Sequence, residues 1–316
     1  MEENKVLDLV IIGAGPAGLT AAIYAQRAML NSVVLEQESV GGQVILTDSV
    51  DNYPGVPHTN GYELADKMRG QAEDLGATIK SEQATKIEQD AATKIFTVTT
   101  AEGSYQSRTV ILAGGATPRH AGFEGEETFG GHGVSYCATC DGMFYRNKQV
   151  FVVGGGNSAV EEALFLTRFA SKVTLVVRKD HVRAQQAILK EFEESEKTEI
   201  RYLTSVERLE GNQLPTSITF RNNETGDLSK ETFDEGSFGV FVFVGRVPAT
   251  ELIADMAERD DRGYVIADES TETRTPGLFV AGDIRQKKLR QIVTATADGA
   301  LAATAAAAYL GQHIDS

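Results

Sequence analysis

The chain has only two cysteines in 316 residues, and both lie in the stretch Cys137-Ala138-Thr139-Cys140-Asp141. With two residues between them, the sulfurs can approach each other across a tight turn and close a small disulfide ring. Pairs of this kind favour a thiolate, because the neighbouring thiol and the local dipoles stabilise its charge. Asp141 follows directly, so its carboxylate is well placed to carry a proton as the disulfide opens. The spacing therefore predicts a redox-active pair.

Three other interpretations of the cysteine pair are less favoured. Structural zinc needs four ligands, of which two cysteines supply half, and the histidines are scattered rather than paired at ligand spacing: His58, His120, His132, His181 and His313. A stabilising disulfide across so short a loop would remove little chain entropy. Buried inert thiols stay open, but a single pair at this spacing favours redox chemistry. We predict no bound metal.

Composition excludes several other classes of protein. The chain is 41% hydrophobic and 24% charged, with a net charge of −15 and a pI near 4.8. Nucleic-acid binding as a main task calls for clustered Lys and Arg and is disfavoured. No apolar run approaches membrane-spanning length, and the first residues, MEENKVLDLVIIG, carry no export signal. With two cysteines and no such signal, we predict a cytoplasmic protein.

The first third has the pattern of a nucleotide-binding fold. Residues 6–12 form an apolar run, predicting a buried parallel strand, and Gly13-Ala14-Gly15-Pro16-Ala17-Gly18 follows. Residues 19–28 predict a helix, and residues 32–35 a second strand that ends at Glu36. This is a dinucleotide-binding pattern in its full context. The glycines allow close approach of the backbone to a pyrophosphate, and Glu36 can accept a hydrogen bond from a ribose hydroxyl.

The middle third repeats this pattern with a different ending. A predicted strand at residues 149–153 leads into Gly154-Gly155-Gly156-Asn157-Ser158-Ala159, a predicted helix and a strand at residues 172–177. That strand is followed by Arg178 and Lys179, with Arg183 close behind. Cations here suit a 2′-phosphate, whereas a carboxylate would suit a 2′-hydroxyl. We therefore predict NADPH at this site; the alternative is a solvated basic turn.

Further elements are expected on either side of this unit. Short strands are predicted at residues 105–107 and 109–113, and a helix at residues 184–196. A strand at residues 278–281 and an alanine-rich helix that opens at Arg290 should return to the first domain. Two nucleotide sites and a dithiol together suggest a flavin relay, because a hydride and a disulfide reduction each carry two electrons.

Taken together, these motifs resemble the low-molecular-weight thioredoxin reductases of the bacterial type, in the FAD/NAD(P)-dependent pyridine nucleotide-disulfide oxidoreductase family. The resemblance runs from Gly13–Gly18 through Gly41–Gln43, Cys137–Asp141 and Gly154–Glu162 to Gly282-Asp283 and Arg290-Gln291. It implies an α/β fold of two Rossmann-like, three-layer domains, the second inserted into the first. Residues 1–117 and 246–316 would form the FAD domain, and residues 118–245 the NADPH domain that carries the cysteines.

The resemblance also implies site residues. Those for FAD would be Gly13, Gly15, Pro16, Ala17, Glu36, Gly41, Gly42, Gln43, Asn52, Ala113, Gly114, Gly282, Asp283, Arg290, Gln291 and Ile292. Those for NADPH would be Gly154, Gly156, Asn157, Ser158, Ala159, Arg178, Lys179 and Arg183. In this family the second cysteine faces the flavin and the first attacks the partner, here Cys140 and Cys137, with Asp141 as acid–base residue. A homodimer with thioredoxin as protein substrate is implied, as is a rotation of the domains about connectors near residues 116–118 and 245–248.

One departure keeps the electron donor open. The family usually has His-Arg-Arg where this chain has Val177-Arg178-Lys179, and Lys lacks the planar fork of Arg. NADH or ferredoxin remain alternative donors, although the intact Gly154–Ala159 turn disfavours ferredoxin. A flavin-dependent ferredoxin–NADP reductase is disfavoured by the cysteine pair. A non-enzymatic redox sensor would show slow disulfide turnover.

Overall fold

A computed structural model describes residues 6–47 and 50–312 of the chain. The first five residues, which contribute to the prediction of no export signal, lie outside this range. The chain divides into two compact units. The first contains the residues up to Thr117 and those from Val247 onward, and the second is the continuous stretch Pro118–Arg246. No helix in the described part of the chain is long and apolar enough to cross a membrane.

The first segment of the first unit supplies most of its sheet. Its strands are β1 (Leu7–Ile12), β2 (Ser32–Glu36), β3 (Thr78–Ser81), β4 (Lys86–Gln89), β5 (Phe96–Thr99) and β6 (Ser104–Leu112). Its helices are α1 (Pro16–Arg27) and α2 (Gly61–Asp74), with a short 3-10 helix at Gly42–Leu46. In β1 the apolar run is buried on both faces, because Leu9 and Ile11 enter one core cluster while Val10 and Ile12 enter the other.

One sequence prediction here was wrong. Residues 105–107 and 109–113 were expected to form two strands, but Ser104–Leu112 is a single strand. It stays continuous because its first half pairs antiparallel with β5 while its second half pairs parallel with β1. A change of partner along one strand leaves no break in the local sequence, so the pattern alone does not reveal it.

The second unit and its two connections contain the next elements. The strands are β7 (Ala116–Pro118), β8 (Val134–Ser135), β9 (Gln149–Val153), β10 (Lys172–Val176), β11 (Thr198–Arg201), β12 (Thr204–Gly211), β13 (Pro215–Asn222), β14 (Leu228–Thr232), β15 (Phe238–Val242) and β16 (Arg246–Pro248). The helices are α3 (Ala138–Asp141), α4 (Asn157–Leu166) and α5 (Gln186–Glu193), with a 3-10 helix at Gly142–Tyr145. Helix α5 is shorter than the predicted 184–196. It begins at Gln186 and ends at Glu193, so that Glu194 and Glu196 lie beyond its end.

A five-stranded parallel sheet forms the middle layer of the second unit, in the order β11-β10-β9-β15-β8. Val150 and Val152 of β9 pack with residues of α4 and α5 on one face. Phe151 and Val153 pack on the other face with Ile218 of the antiparallel sheet β12-β13-β14. The unit therefore has three layers. Its two connecting segments run side by side, because β7 pairs with β16.

The chain then completes the first unit. It adds 3-10 helices at Glu251–Ile253 and Gly282–Ile284, strand β17 (Leu278–Val280) and helix α6 (Ile292–Tyr309). Strand β17 lies parallel to β6, with Leu278 opposite Val110. Helix α6 packs closely on α1, since a Cβ added at Gly299 would lie 2.1 Å from the Ala17 carbonyl oxygen. The small residues of α6 permit this approach.

Candidate redox and nucleotide sites

Cys137 and Cys140 form a disulfide, with 5.3 Å between their Cα atoms. Strand β8 ends at Ser135, and Cys137, still extended, becomes the N-cap of the one-turn helix α3. This turn brings residues three apart onto the same side, as the spacing predicted. Both cysteines are half-buried. The disulfide is therefore held by local backbone geometry and remains partly accessible to a reactant.

The two sulfurs have different surroundings. The backbone N–H of Cys140 donates a hydrogen bond to Cys137 Sγ at 3.2 Å, and Thr139 Oγ1 lies 3.4 Å from the same sulfur. Donors aimed at a sulfur stabilise negative charge on it. Once the disulfide opens, these contacts favour the thiolate on Cys137. This asymmetry was not part of the sequence prediction.

Asp141 is oriented by a residue that the sequence reasoning missed. Ser135 is buried, and its hydroxyl donates to Asp141 Oδ2 at 2.6 Å. The Ser135 hydroxyl oxygen also accepts a hydrogen bond from the Cys137 N–H at 3.1 Å. Ser135 thus orients the Asp141 carboxylate beside the two cysteines, and it also holds the backbone at Cys137. No sequence signal marks a serine two positions before a cysteine, because the contact forms only when β8 turns into α3.

Tyr145 extends the electrostatic environment of Asp141. Burial first, and then the negative charge of Asp141, raise the pKa of Tyr145 to about 12. The ring packs edge-on against Phe241, with 5.1 Å between ring centroids. Gly239 makes room for it, since a Cβ there would lie 2.0 Å from Tyr145 Cε1. The Tyr145 phenol therefore stays protonated at neutral pH. The negative charge of Asp141 acts on this phenol in an apolar region.

In the first glycine turn, Gly13 and Gly18 are needed for close packing, whereas Gly15 borders space that a ligand could occupy. Gly13 has a φ of +101°, and a Cβ there would lie 2.5 Å from the Ala113 carbonyl oxygen. A Cβ at Gly18 would lie 1.8 Å from the Gly13 oxygen. At Gly15 the nearest atom would be 3.9 Å away, so this glycine borders open space. Pro16 and Ala17 begin α1, whose N-terminus faces that space and favours an anion.

Glu36 lies at the end of β2 and closes the same turn. Its carboxylate is 9% exposed and accepts the N–H of Ala14 at 2.6 Å and that of Glu38 at 2.9 Å. These contacts hold the carboxylate in place. A carboxylate has about four lone-pair sites, so the oxygens can still accept a ribose hydroxyl.

The second loop predicted for FAD covers this turn. Gly41 donates its N–H to the Ala14 carbonyl at 2.8 Å. A Cβ added at Gly42 would lie 3.4 Å from Gly15 Cα, so the two loops approach closely. Gln43 follows in the 3-10 helix. Two more predicted residues meet across the sequence, since Asn52 Nδ2 donates to Gln291 Oε1 at 2.9 Å.

Three parallel strands bring the remaining FAD residues to one edge. β1 ends before Gly13, β6 before Ala113 and Gly114, and β17 shortly before Gly282 and Asp283. Arg290 donates to the Asp283 carbonyl at 3.3 Å and lies over the Tyr264 ring. Ile292 opens α6. Ligands of open α/β sheets bind outside the carboxyl ends of the strands, so these residues fit an FAD.

A buried ion-pair cluster supports this edge and was also missed. Asp298 Oδ2 accepts the Gly282 N–H at 2.9 Å. Lys287 Nζ lies 2.5 Å and Arg285 Nε 3.3 Å from the same oxygen, and all three side chains are at most 10% exposed. The cluster holds Gly282 in its left-handed conformation, with φ +81°. The charges lie far from Gly13 in sequence, so no local pattern links them to the site.

The second glycine turn shows the same division of roles. A Cβ at Gly154 would lie 2.5 Å from the Phe243 oxygen and 2.7 Å from Ala159 Cβ, whereas one at Gly156 would meet nothing within 4 Å. Asn157 begins α4, and its Oδ1 accepts the Gln185 N–H at 2.8 Å. Ser158 is exposed in the first turn of that helix. The open space beside Gly156 at a helix N-terminus fits a pyrophosphate.

The basic loop after β10 is tied to this turn. Arg178, Lys179 and Arg183 are exposed, while Val177 is 3% exposed and belongs to the core. Three hydrogen bonds hold the loop: Arg183 N–H to Gly155 O at 2.7 Å, Leu203 N–H to Lys179 O at 2.9 Å, and Asn223 Nδ2 to Arg178 O at 3.0 Å. The Arg183 bond to Gly155, with the bond from the Gly154 N–H to the Val176 oxygen at 3.1 Å, places the backbone of this loop beside the glycine turn.

Within residues 6–47 and 50–312, no three His, Cys, Asp or Glu side chains come together as a possible metal site.

Known proteins similar to this chain belong to one family. Residues 7–299 match the family described as pyridine nucleotide-disulphide oxidoreductase. A thioredoxin reductase of Peptoclostridium litorale is 44% identical, over 97% of this chain and 98% of its own. One of Treponema pallidum is also 44% identical, over 96% and 97%. The crystal structure of thioredoxin reductase from Streptococcus pyogenes is 41% identical, covers 98% of this chain and 99% of its own, and has a TM-score of 0.90. The chain belongs to the pyridine nucleotide-disulphide oxidoreductase family.

Proposed function

We propose that the protein is an NADPH-dependent thioredoxin-disulfide reductase. The observation that carries this proposal is the half-buried Cys137–Cys140 disulfide with Asp141 held beside it, in a chain that has two dinucleotide-type glycine turns. The similarity to proteins named thioredoxin reductase over nearly their whole length supports the same conclusion. Each cofactor has a set of residues that fits it.

The chain's own residues would bind and orient the cofactors. The Gly13–Gly18 turn, Glu36 and the Gly41–Gln43 loop would hold FAD, and the Gly154–Gly156 turn with Arg178, Lys179 and Arg183 would hold NADPH. When bound, FAD supplies the means to take a hydride from the nicotinamide and to pass two electrons to a disulfide. Asp141 would supply or take the proton that accompanies the opening of the Cys137–Cys140 bond.

The contacts around Cys137 Sγ indicate how the protein would exchange its disulfide with thioredoxin. The Cys137 thiolate, stabilised by the Cys140 N–H, attacks one sulfur of the thioredoxin disulfide and displaces the other as a thiolate. The Cys140 thiolate then attacks Cys137, which re-forms the Cys137–Cys140 disulfide and releases the second thioredoxin thiolate. The two electrons of the dithiol end on thioredoxin, and its two thiolates take up the two protons released when Cys137 and Cys140 ionised. The family resemblance implies a homodimer for this reaction, and the two cysteines without an export signal predict a cytoplasmic setting.

The direct test of the function is cofactor retention and turnover. We expect the purified protein to be yellow with FAD, because the residues of the first glycine turn leave open space at Gly15 and an oriented carboxylate at Glu36. It should then reduce thioredoxin with NADPH, followed by the loss of nicotinamide absorbance. A colourless protein that cannot be reconstituted with FAD would overturn the proposal.

Coenzyme choice is tested on the basic loop. Replacing both Arg178 and Arg183 with Ala should weaken NADPH far more than NADH, because both guanidinium groups are exposed beside the glycine turn. One hydrogen bond to a charged group contributes about 1.5–3 kcal/mol, or roughly ten- to a hundredfold. The apparent KM for each coenzyme is the measurement.

The matched control for this test is Arg168→Ala, which removes an exposed arginine whose guanidinium lies over the Phe165 ring, outside the loop. It should leave both KM values unchanged. Equal losses for NADPH and NADH in the double variant would show that the loop does not recognise the 2′-phosphate. The assignment of NADPH to this loop would then be withdrawn.

A further inference from the structure

Thr139 lies between the two cysteines and has no role in the proposed function. We propose that Thr139 is a further catalytic residue: its hydroxyl donates a hydrogen bond to Cys137 Sγ and stabilises the negative charge that this sulfur gains when the Cys137–Cys140 bond opens. The inference rests on the proposed function only in taking this disulfide as the reacting group. It is carried by the contact between Thr139 Oγ1 and Cys137 Sγ.

The direction of this hydrogen bond follows from the oxidation state of the sulfur. Thr139 Oγ1 and Cys137 Sγ are 3.4 Å apart. A sulfur in a disulfide has no proton to donate, so the hydroxyl is the donor. The Cys140 N–H also donates to Cys137 Sγ, at 3.2 Å. Two donors therefore reach the same sulfur, and one of them belongs to a side chain that a substitution can remove.

The backbone of α3 explains why position 139 can supply this donor. Cys137 is the N-cap of the helix, with φ −146° and ψ 104°, and Thr139 is the second residue of its single turn. Ala138, the other residue between the cysteines, is 1% exposed and packs in the core with residues of α4. Thr139 is exposed. Of the two intervening positions, 139 is thus the one that can carry a polar group without disturbing the core.

Reduction changes the charge on the acceptor of this hydrogen bond. Two electrons break the Cys137–Cys140 bond and leave two thiolates, one of which takes up the proton that Asp141 can supply. A hydrogen bond to a charged acceptor is about twice as strong as one to a neutral acceptor. The Thr139 hydroxyl therefore stabilises the reduced form more than the disulfide.

The consequence is a shift in the balance between the two halves of the proposed reaction. A disulfide whose reduced form is stabilised is a stronger oxidant. Thr139 thus favours the uptake of two electrons by the disulfide and keeps negative charge on Cys137, the sulfur that attacks thioredoxin. The same stabilisation makes the dithiol a weaker reductant of thioredoxin.

The first test measures the equilibrium between disulfide and dithiol, which requires neither NADPH nor thioredoxin. The FAD-containing protein is equilibrated in glutathione redox buffers at neutral pH, and the dithiol fraction is determined by alkylation and mass spectrometry. Thr139→Val removes the hydroxyl and keeps the branched shape, whereas Thr139→Ser keeps the hydroxyl. FAD absorbance and the melting temperature check the folding of both variants.

Thr139→Val should shift this equilibrium toward the disulfide by about three- to tenfold, the range of one net hydrogen bond, because water competes for an exposed hydroxyl. Thr139→Ser should remain close to the unmodified protein. An unchanged equilibrium in Thr139→Val, or a Thr139→Ser variant that behaves like Thr139→Val, would overturn the inference.

The second test identifies the sulfur on which Thr139 acts. In a Cys140→Ser protein, Cys137 is alkylated by iodoacetamide at mildly acidic pH, where the thiolate fraction limits the rate. Adding Thr139→Val should slow this alkylation by a similar factor, and it should leave the alkylation of Cys140 in a Cys137→Ser protein unchanged. Equal slowing at both cysteines would show a merely structural role and overturn the inference. Failure of the unmodified protein to reduce thioredoxin with NADPH would instead overturn the proposed function, and both measurements on Thr139 would still apply.

Discussion

Replacing Cys137 with Ser is expected to abolish thioredoxin reduction while leaving FAD bound. The variant keeps Cys140 as its only thiol, and the residues proposed to hold FAD lie in the other unit. If Cys140 is the cysteine that reacts with the flavin, the variant should show a long-wavelength absorbance band from a thiolate beside the flavin. The visible spectrum as a function of pH is the measurement.

The reciprocal variant, Cys140→Ser, should also lose turnover but should trap thioredoxin as a mixed disulfide. Cys137 keeps the backbone donor that stabilises its thiolate, since the N–H at position 140 is unaffected by the side-chain change. The trapped complex is detected on a non-reducing gel, and the Cys137→Ser/Cys140→Ser double variant is the control that should show neither band nor complex. A band in Cys140→Ser and trapping by Cys137→Ser would reverse the assignment, and the proposed role of Asp141 would have to be withdrawn.

Asp141→Asn is expected to slow the reaction of the disulfide by about 10²–10⁴-fold, the usual contribution of a general acid or base. An amide has the shape of the carboxylate and can still accept the Ser135 hydroxyl, but it cannot exchange a proton. FAD content should be unchanged. Rapid-mixing measurement of the step between reduced flavin and disulfide checks this prediction.

Ser135→Ala is the matched control for Asp141. It leaves the carboxylate and removes only the hydroxyl that orients it, at a cost of about 1 kcal/mol or roughly fivefold. If Ser135→Ala slowed the step as much as Asp141→Asn, orientation rather than proton transfer would explain the effect. If Asp141→Asn reacted at the normal rate, the acid–base role would be ruled out.

The sequence by itself determined the features that depend on neighbouring residues. The disulfide follows from a spacing that one turn of helix can close, and the glycine turns follow from the need for positive φ or close packing at Gly13 and Gly154. The order of strands and helices is equally local, because apolar runs and turn residues act within a few positions. The α/β fold was predictable for this reason.

Only the tertiary structure decided the contacts that join distant segments. Ser135 meets Asp141 where a strand turns into a helix, and Asp298 reaches Gly282 from a helix that packs on α1. Strand β6 remains one strand because it changes partners along its length. The basic loop lies beside the glycine turn because the Arg183 N–H bonds to the Gly155 oxygen, while the Leu203 N–H and the Asn223 side chain bond to the loop's first residues. Such contacts depend on the packing of whole elements, and no local pattern of residues encodes that packing.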